Sequence, residues 1–94
     1  MEILIDWCLI KTEEQFYDVF LPQVDAPKWH GHNLNALADS LITGSINNIE
    51  PPYKLVSVNS SINLGDLKPF QIGVLTIFTE AAIEENREIE FSVK

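Results

Sequence analysis

The sequence predicts an α/β fold with a mainly parallel sheet of three strands, packed by three to four helices. Three short segments carry the strand predictions: EILI (2–5), YKLVSV (53–58) and EIEFSV (88–93). Helical patterns separate them, giving the order β, α, α, β, a possible further turn of helix, α and β. Strands separated by helices are typical of parallel sheets with right-handed crossovers. The 94 residues fit a single domain spanning 1–94.

The first helix is predicted to begin after Thr12, because Thr12 and Gln15 have the spacing of a capping box. The apolar residues that follow at helical intervals are Phe16, Val19 and Phe20. Since Pro22 cannot continue a helix, we expect this helix to end near Leu21.

The only cysteine, Cys8, lies in the apolar run from Trp7 to Ile10, which follows a polar turn at Asp6. A single cysteine allows no disulfide within the chain, and this fits a reducing cytoplasm. We expect Cys8 to be a buried and unreactive thiol.

A short second helix is predicted after the loop QVDAPKWHGH (23–32). Asn33 is a suitable N-cap, and Gly44 is a suitable residue for the C-terminal cap. The residues at the spacing of a core-facing stripe are Leu34, Leu37, Ala38, Leu41 and Ile42. The opposite face carries Asn35, Ala36, Asp39 and Thr43. Because Asn35 and Asp39 are four residues apart, they are expected to lie side by side on the outer surface.

The longest helix is predicted from Pro69 to Asn86, with the proline accepted in its first turn. The residues expected to line its core face are Ile72, Leu75, Phe78 and Ala82, widened by Val74, Ile77 and Ala81. The polar stretch before it, from Asn59 to Lys68, has room for one short helical turn. The last strand alternates polar and apolar residues, as a half-exposed or edge strand does.

The charge of the chain is strongly negative, with 14 acids, 6 bases and a net charge of −8. The bases are scattered, so direct nucleic-acid binding is not expected, because phosphates require clustered Lys and Arg. An acidic protein suits a basic partner, although the charge also serves simple solubility. No apolar run is long enough to cross a bilayer and no signal peptide is evident, so we expect a cytoplasmic protein without membrane contact.

The two histidines, His30 and His32, raise the question of a metal or a catalytic site near Asp39. Zinc needs three or four ligands. The other candidate ligands, Cys8 and Glu50, do not have the spacing from the histidines that is typical of a zinc site. No nucleophile turn or phosphate loop is present. We therefore expect no enzyme activity, no metal and no cofactor. The histidines are either a solvated pair in a loop or a contact pair on a binding surface.

Two further features fit a binding surface. Trp29 is either a lid over the core or an aromatic anchor at an interface. Asp39 is the only acid between Asp25 and Glu50. A strongly acidic chain thus presents one isolated carboxylate on an otherwise neutral helix face.

The segment PKWHGHNLNALADSL (27–41) resembles the signature of the barstar family, which are intracellular inhibitors of secreted ribonucleases. The residues that fit the family pattern are Pro27, Trp29, His30, Gly31, Asn33, Leu34, Ala36, Leu37, Asp39 and Leu41. The order and length of the elements are similar over the whole chain. The resemblance implies a three-stranded parallel sheet packed by helices.

The resemblance also implies roles. In barstar-like inhibitors, the loop and second helix plug the active site of the nuclease, and the aspartate at the position of Asp39 stands where a substrate phosphate would lie. A second acid corresponds to Glu80. The implied partner-binding residues are Trp29, His30, Gly31, Asn33, Asn35, Ala38, Asp39, Thr43 and Glu80. The implied partner is a basic ribonuclease toxin in a 1:1 complex; the alternative is an acidic adaptor of the same fold that binds a basic partner other than a nuclease.

The chain departs from the family pattern at several of these positions. Asn35 replaces an acid, Ala38 replaces an aromatic residue, His30 replaces a tyrosine, and an aromatic contact is lost near Ser45. We therefore expect a cognate nuclease that is not a close relative of barnase. By the same resemblance, the peptide bond before Pro52 is predicted to be cis.

Overall fold

The computed structural model of the protein describes residues 2–26, 30–43, 52–83 and 88–94, without the side chain of Thr43. Its sheet has three parallel strands, β1 (Glu2–Asp6), β2 (Tyr53–Val58) and β3 (Ile89–Val93), in the order β1-β2-β3. The α-helices in these ranges are α1 (Glu13–Gln23), α2 (Leu34–Ala38) and α3 (Lys68–Ala82). The predicted α/β fold with a parallel sheet is confirmed, with three α-helices where three to four were expected.

The sheet has a buried central strand and two edge strands. In β1, Ile3 and Ile5 are fully buried, whereas Leu4 between them is 49% exposed. The central strand β2 pairs Leu55 with Ile3 on one side and with Phe91 on the other. β1 therefore has one face in the core. The bounds of β2, Tyr53–Val58, are those that the sequence predicts.

The start of α1 is confirmed as predicted. Thr12 Oγ1 accepts a hydrogen bond from the backbone N–H of Gln15 at 3.1 Å, and Gln15 Oε1 accepts one from the N–H of Lys11 at 2.7 Å. Phe16 then enters the core between Trp7 and Phe20, with ring centroids 5.8 and 5.5 Å away. This aromatic stack fixes α1 against the sheet.

The predicted end of α1 near Leu21 is wrong, because the helix continues through Pro22 to Gln23. A proline this close to the end removes only one intrahelical hydrogen bond. The side chain of Gln23 adds a hydrogen bond at this helix end, since its Nε2 donates to the carbonyl of Val19 at 2.9 Å.

The prediction that Cys8 is buried is also wrong, because its side chain is exposed. Residues Trp7–Leu9 form one turn of 3₁₀ helix. With three residues per turn, Trp7 and Ile10 point the same way, into the core, whereas Cys8 and Leu9 point outward.

The predicted core face of α3 needs a correction. Ile72 is 55% exposed and Ala82 is only partly buried. The buried positions are Phe70, Gln71, Val74, Ile77, Phe78 and Ala81. The helix begins one residue earlier than predicted, after a 3₁₀ turn at Gly65–Leu67, and ends at Ala82, short of the predicted Asn86. Apolar residues occur on most sides of this helix, so its periodicity alone allows more than one stripe.

Candidate functional site

The candidate site is built on the segment 30–43, here called the α2 segment. Asn33 caps it as predicted, since its Oδ1 accepts a hydrogen bond from the N–H of Ala36 at 2.8 Å. The helix α2 has only five residues and passes into a wider, π-type turn at Asp39–Thr43. Leu37 and Leu41 are fully buried and hold the segment to the core.

The outer side of the α2 segment carries two exposed polar side chains, Asn35 and Asp39. Between them, Ala36 and Ala38 are half-buried. Asp39 also belongs to the helix end, because its backbone N–H donates to the carbonyls of Asn35 and Ala36. Asn35 and Asp39 therefore both lie on the exposed side of the segment, as the spacing predicts.

The helix α3 supports this surface from the side, since it packs against both α2 and the turn that follows it. Gly73 allows the close approach: a Cβ at this position would lie 2.7 Å from Leu34 Cδ1. Glu80, the second acid of the predicted set, is exposed on α3 two turns further along. No sequence pattern indicates the contact between Gly73 and Leu34.

His30 is buried, so the prediction of a solvated side chain is wrong, whereas its contact with a partner stays a prediction. The residue is only 3% exposed. Its Nδ1 lies 2.7 Å from the carbonyl oxygen of Gly31, and its Nε2 is hydrogen-bonded to the hydroxyl of Ser40, which is fully buried. The loop turns inward here because the buried hydroxyl beyond α2 satisfies the ring.

His32, by contrast, is exposed and links the α2 segment to α1. Its Nδ1 contacts the Glu14 carboxylate, and its ring stacks on Tyr17 with centroids 5.4 Å apart and planes 12° apart. Burial, together with the carboxylates of Glu13 and Glu14, raises the pKa of the Tyr17 phenol well above its usual range. Tyr17 therefore remains neutral and serves as a packing surface for His32.

Gly31 keeps the entry to α2 compact. A Cβ here would lie 2.9 Å from Asn33 Nδ2 and 3.2 Å from the Cβ of Ala36. Any larger residue would press on the side chain that caps the helix. The glycine thus leaves room for the capping side chain of Asn33.

A comparison with protein families matches the barstar family, described as barstar (barnase inhibitor), over residues 1–94. The chain belongs to the barstar family. Membership implies a general role in ribonuclease inhibition or immunity, since barstars are inhibitors that bind ribonucleases and are not enzymes. Among curated proteins, no sequence matches the chain at a significant level.

Some residues to which the sequence analysis assigns a role lie outside the described residues. They are Trp29, Gly44, Ser45, the side chain of Thr43 and the peptide bond between Pro51 and Pro52. Whether Trp29 faces a partner or the core, and the isomer at Pro52, stay predictions. The backbone of Thr43 is described, and it ends the π-type turn.

The rest of the described surface adds little to this barstar-family site. In residues 2–26, 30–43, 52–83 and 88–94, no three His, Cys, Asp or Glu side chains come together as metal ligands. Within the same ranges, no helix is long and apolar enough to cross a membrane. An open cavity of about 470 Å³ lies at the start of β2 and β3 and is lined by Tyr53, Lys54 and Glu90, among others.

Proposed function

We propose that this barstar-family chain is the inhibitor, or immunity protein, of a cognate ribonuclease toxin, with which it forms a 1:1 complex. The observation that carries the proposal is the exposed carboxylate of Asp39 on the neutral outer face of the α2 segment. In the complex, this carboxylate occupies the position of a substrate phosphate. Glu80 on α3 supplies a second, more peripheral acidic contact.

The chemistry follows from what a ribonuclease must bind. A site for RNA phosphates presents Arg, Lys or His, and a carboxylate can accept paired, charge-assisted hydrogen bonds from such groups. The net charge of −8 attracts a basic toxin over a longer range and accelerates association, more strongly at low salt. The α2 segment blocks the active site sterically and needs no chemistry of its own.

The test first looks for a ribonuclease gene beside the gene of this chain. Its product, here called the neighbour-encoded ribonuclease, is then assayed on RNA with increasing amounts of inhibitor. Asp39→Ala leaves the cationic pocket of the nuclease unpaired, which costs about 3–5 kcal/mol. Because 1.4 kcal/mol corresponds to a factor of ten, affinity falls roughly a hundredfold to several thousandfold. Glu80→Ala at the rim costs less, about tenfold at most.

Asp18→Asn is the matched control, because Asp18 is also an exposed acid but lies on α1. It should inhibit as well as the wild type. An Asp39→Ala variant that still inhibits fully would refute phosphate mimicry. A basic partner without ribonuclease activity would instead support the adaptor function.

The choice of nuclease is a separate proposal. Asn35 lacks the charge, and Ala38 the aromatic ring, that the family pattern has at these positions. We expect barnase itself to bind more weakly than the neighbour-encoded ribonuclease in parallel titrations. Equal affinity for the two enzymes would show that these substitutions do not set partner choice.

A further inference from the structure

We infer that His30 and Ser40 form a buried clamp across α2 and act as positioning residues that orient the Asp39 carboxylate. This inference rests on the proposed function, since it explains how the inhibitory carboxylate is held. Neither residue touches the partner in this account. Both act through the backbone of the α2 segment.

Both ring nitrogens of His30 have a hydrogen-bond partner. The carbonyl oxygen of Gly31 can only accept, so His30 Nδ1 carries a proton and donates across 2.7 Å. Nε2 is hydrogen-bonded to the Ser40 hydroxyl, which can donate or accept. The bond joins residues ten positions apart, one before α2 and one after it.

The α2 segment needs such a bond because its helix is short. Five residues are far below the roughly 12–15 that an isolated helix requires, so tertiary contacts must hold it. Leu37 and Leu41 bury apolar surface, but that force has no direction. A hydrogen bond at the far end of α2 fixes which way the turn is rotated.

The position of Ser40 makes this rotation matter for Asp39. The two residues are adjacent in the turn Asp39–Thr43, and one is fully buried while the other is exposed. Holding the Ser40 side chain inward therefore holds the Asp39 side chain outward. A charged contact loses much of its strength when its supporting residues let it shift by even about 1 Å.

The first readout is hydrogen exchange of the free protein, which requires no nuclease. In Ser40→Ala, the amides of the α2 segment should exchange at least about tenfold faster, while those of β2 keep their wild-type rates. Ser61→Ala, an exposed serine outside the site, is the matched control. Unchanged exchange in the α2 segment would overturn the clamp.

The second readout is a double-mutant cycle for binding to the neighbour-encoded ribonuclease. Ser40→Ala should weaken binding about tenfold in the wild-type background and less than about twofold in Asp39→Ala. Equal losses in the two backgrounds would overturn the positioning role. If the wild type binds no ribonuclease, the proposed function fails, and the exchange data alone decide the clamp.

A second variant covers the case in which Ser40→Ala does not fold. The pair His30→Leu with Ser40→Ala keeps the buried volume roughly constant while removing both polar groups, so it should fold. It should still show fast exchange in the α2 segment and weak binding. Wild-type exchange and binding in this double variant would show that packing alone orients Asp39.

Discussion

A chain of buried hydrogen bonds behind the sheet offers the sharpest test of how the fold is held. Trp7 Nε1 donates to Ser57 Oγ at 2.8 Å, and Ser57 Oγ is bonded to Ser60 Oγ at 2.6 Å. Gln71 Nε2 donates to the Ser60 carbonyl at 2.9 Å. The chain thus connects the turn after β1 with β2 and with α3. Ser57→Ala breaks it at its centre.

The size of the effect follows from burial. Trp7 and Ser57 are both fully buried, so the substitution leaves the indole N–H without an acceptor and without water. An unpaired buried donor costs about 1–3 kcal/mol. The free energy of unfolding should therefore fall by about 1–3 kcal/mol, and the thermal midpoint by at least ~4 °C.

The assay is urea unfolding followed by far-UV circular dichroism, which does not depend on the environment of either tryptophan. Ser61→Ala changes an exposed neighbouring serine and should stay within about 0.5 kcal/mol of the wild type. In a cycle with Trp7→Phe, the two substitutions should be coupled by about 1 kcal/mol or more. A Ser57→Ala protein within about 0.5 kcal/mol of the wild type would refute the reasoning.

Three further predictions concern other parts of the fold. The side chain of Gln23 covers the edge of β1, because it accepts a hydrogen bond from the N–H of Leu4 and donates one to the Leu4 carbonyl, each at 2.8 Å. Gln23→Ala exposes this strand edge and should promote self-association, measured by analytical ultracentrifugation. A variant that remains monomeric would contradict the protective role of Gln23. Hydrogen bonds from the Asn59 side chain and the Cys8 backbone lower the pKa of Asp6. The ionised Asp6 carboxylate therefore stabilises the folded protein above the unfolded pKa of about 3.9. This stabilisation is lost as the pH falls through the lower pKa that Asp6 has in the folded protein. Urea midpoints between pH 5 and 2 should fall more steeply in the wild type than in Asp6→Asn, and parallel curves would contradict this. The exposed thiol of Cys8 should react with Ellman's reagent in the native protein about as fast as in urea, whereas protection would indicate burial.

Much of the fold was predictable because local signals and tertiary packing agree. β2 is a mostly apolar segment at the centre of the sheet. The spacing of Thr12 and Gln15 indicates the start of α1. The failures occur where one residue type allows two outcomes. A proline can end a helix or lie in its last turn, and Pro22 lies in the last turn of α1. In α3, apolar residues occur on most sides, so the sequence does not indicate whether Ile72 faces the core or the solvent.

The candidate site was predictable on its outer face and not beneath it. Spacing alone places Asn35 and Asp39 outward and identifies Asn33 as the cap. The contact between His30 and Ser40 joins the loop before α2 to the turn after it and has no local pattern. One signal was present: Ser40 lies beside the core-facing Leu37 and Leu41, and a buried hydroxyl needs a partner.

The shortness of α2 limits how the proposed inhibitory surface can be used outside this protein. A synthetic peptide of residues 30–43 would contain Asp39 and its neighbours but none of the core that shapes them. It would lose Gly73, which seats Leu34, and Tyr17, on which His32 stacks. Such a peptide would be largely unstructured in water, and ordering it would consume most of its binding energy. An inhibitor derived from this surface would therefore need the whole domain, or a synthetic cross-link that replaces the hydrogen bond between His30 and Ser40.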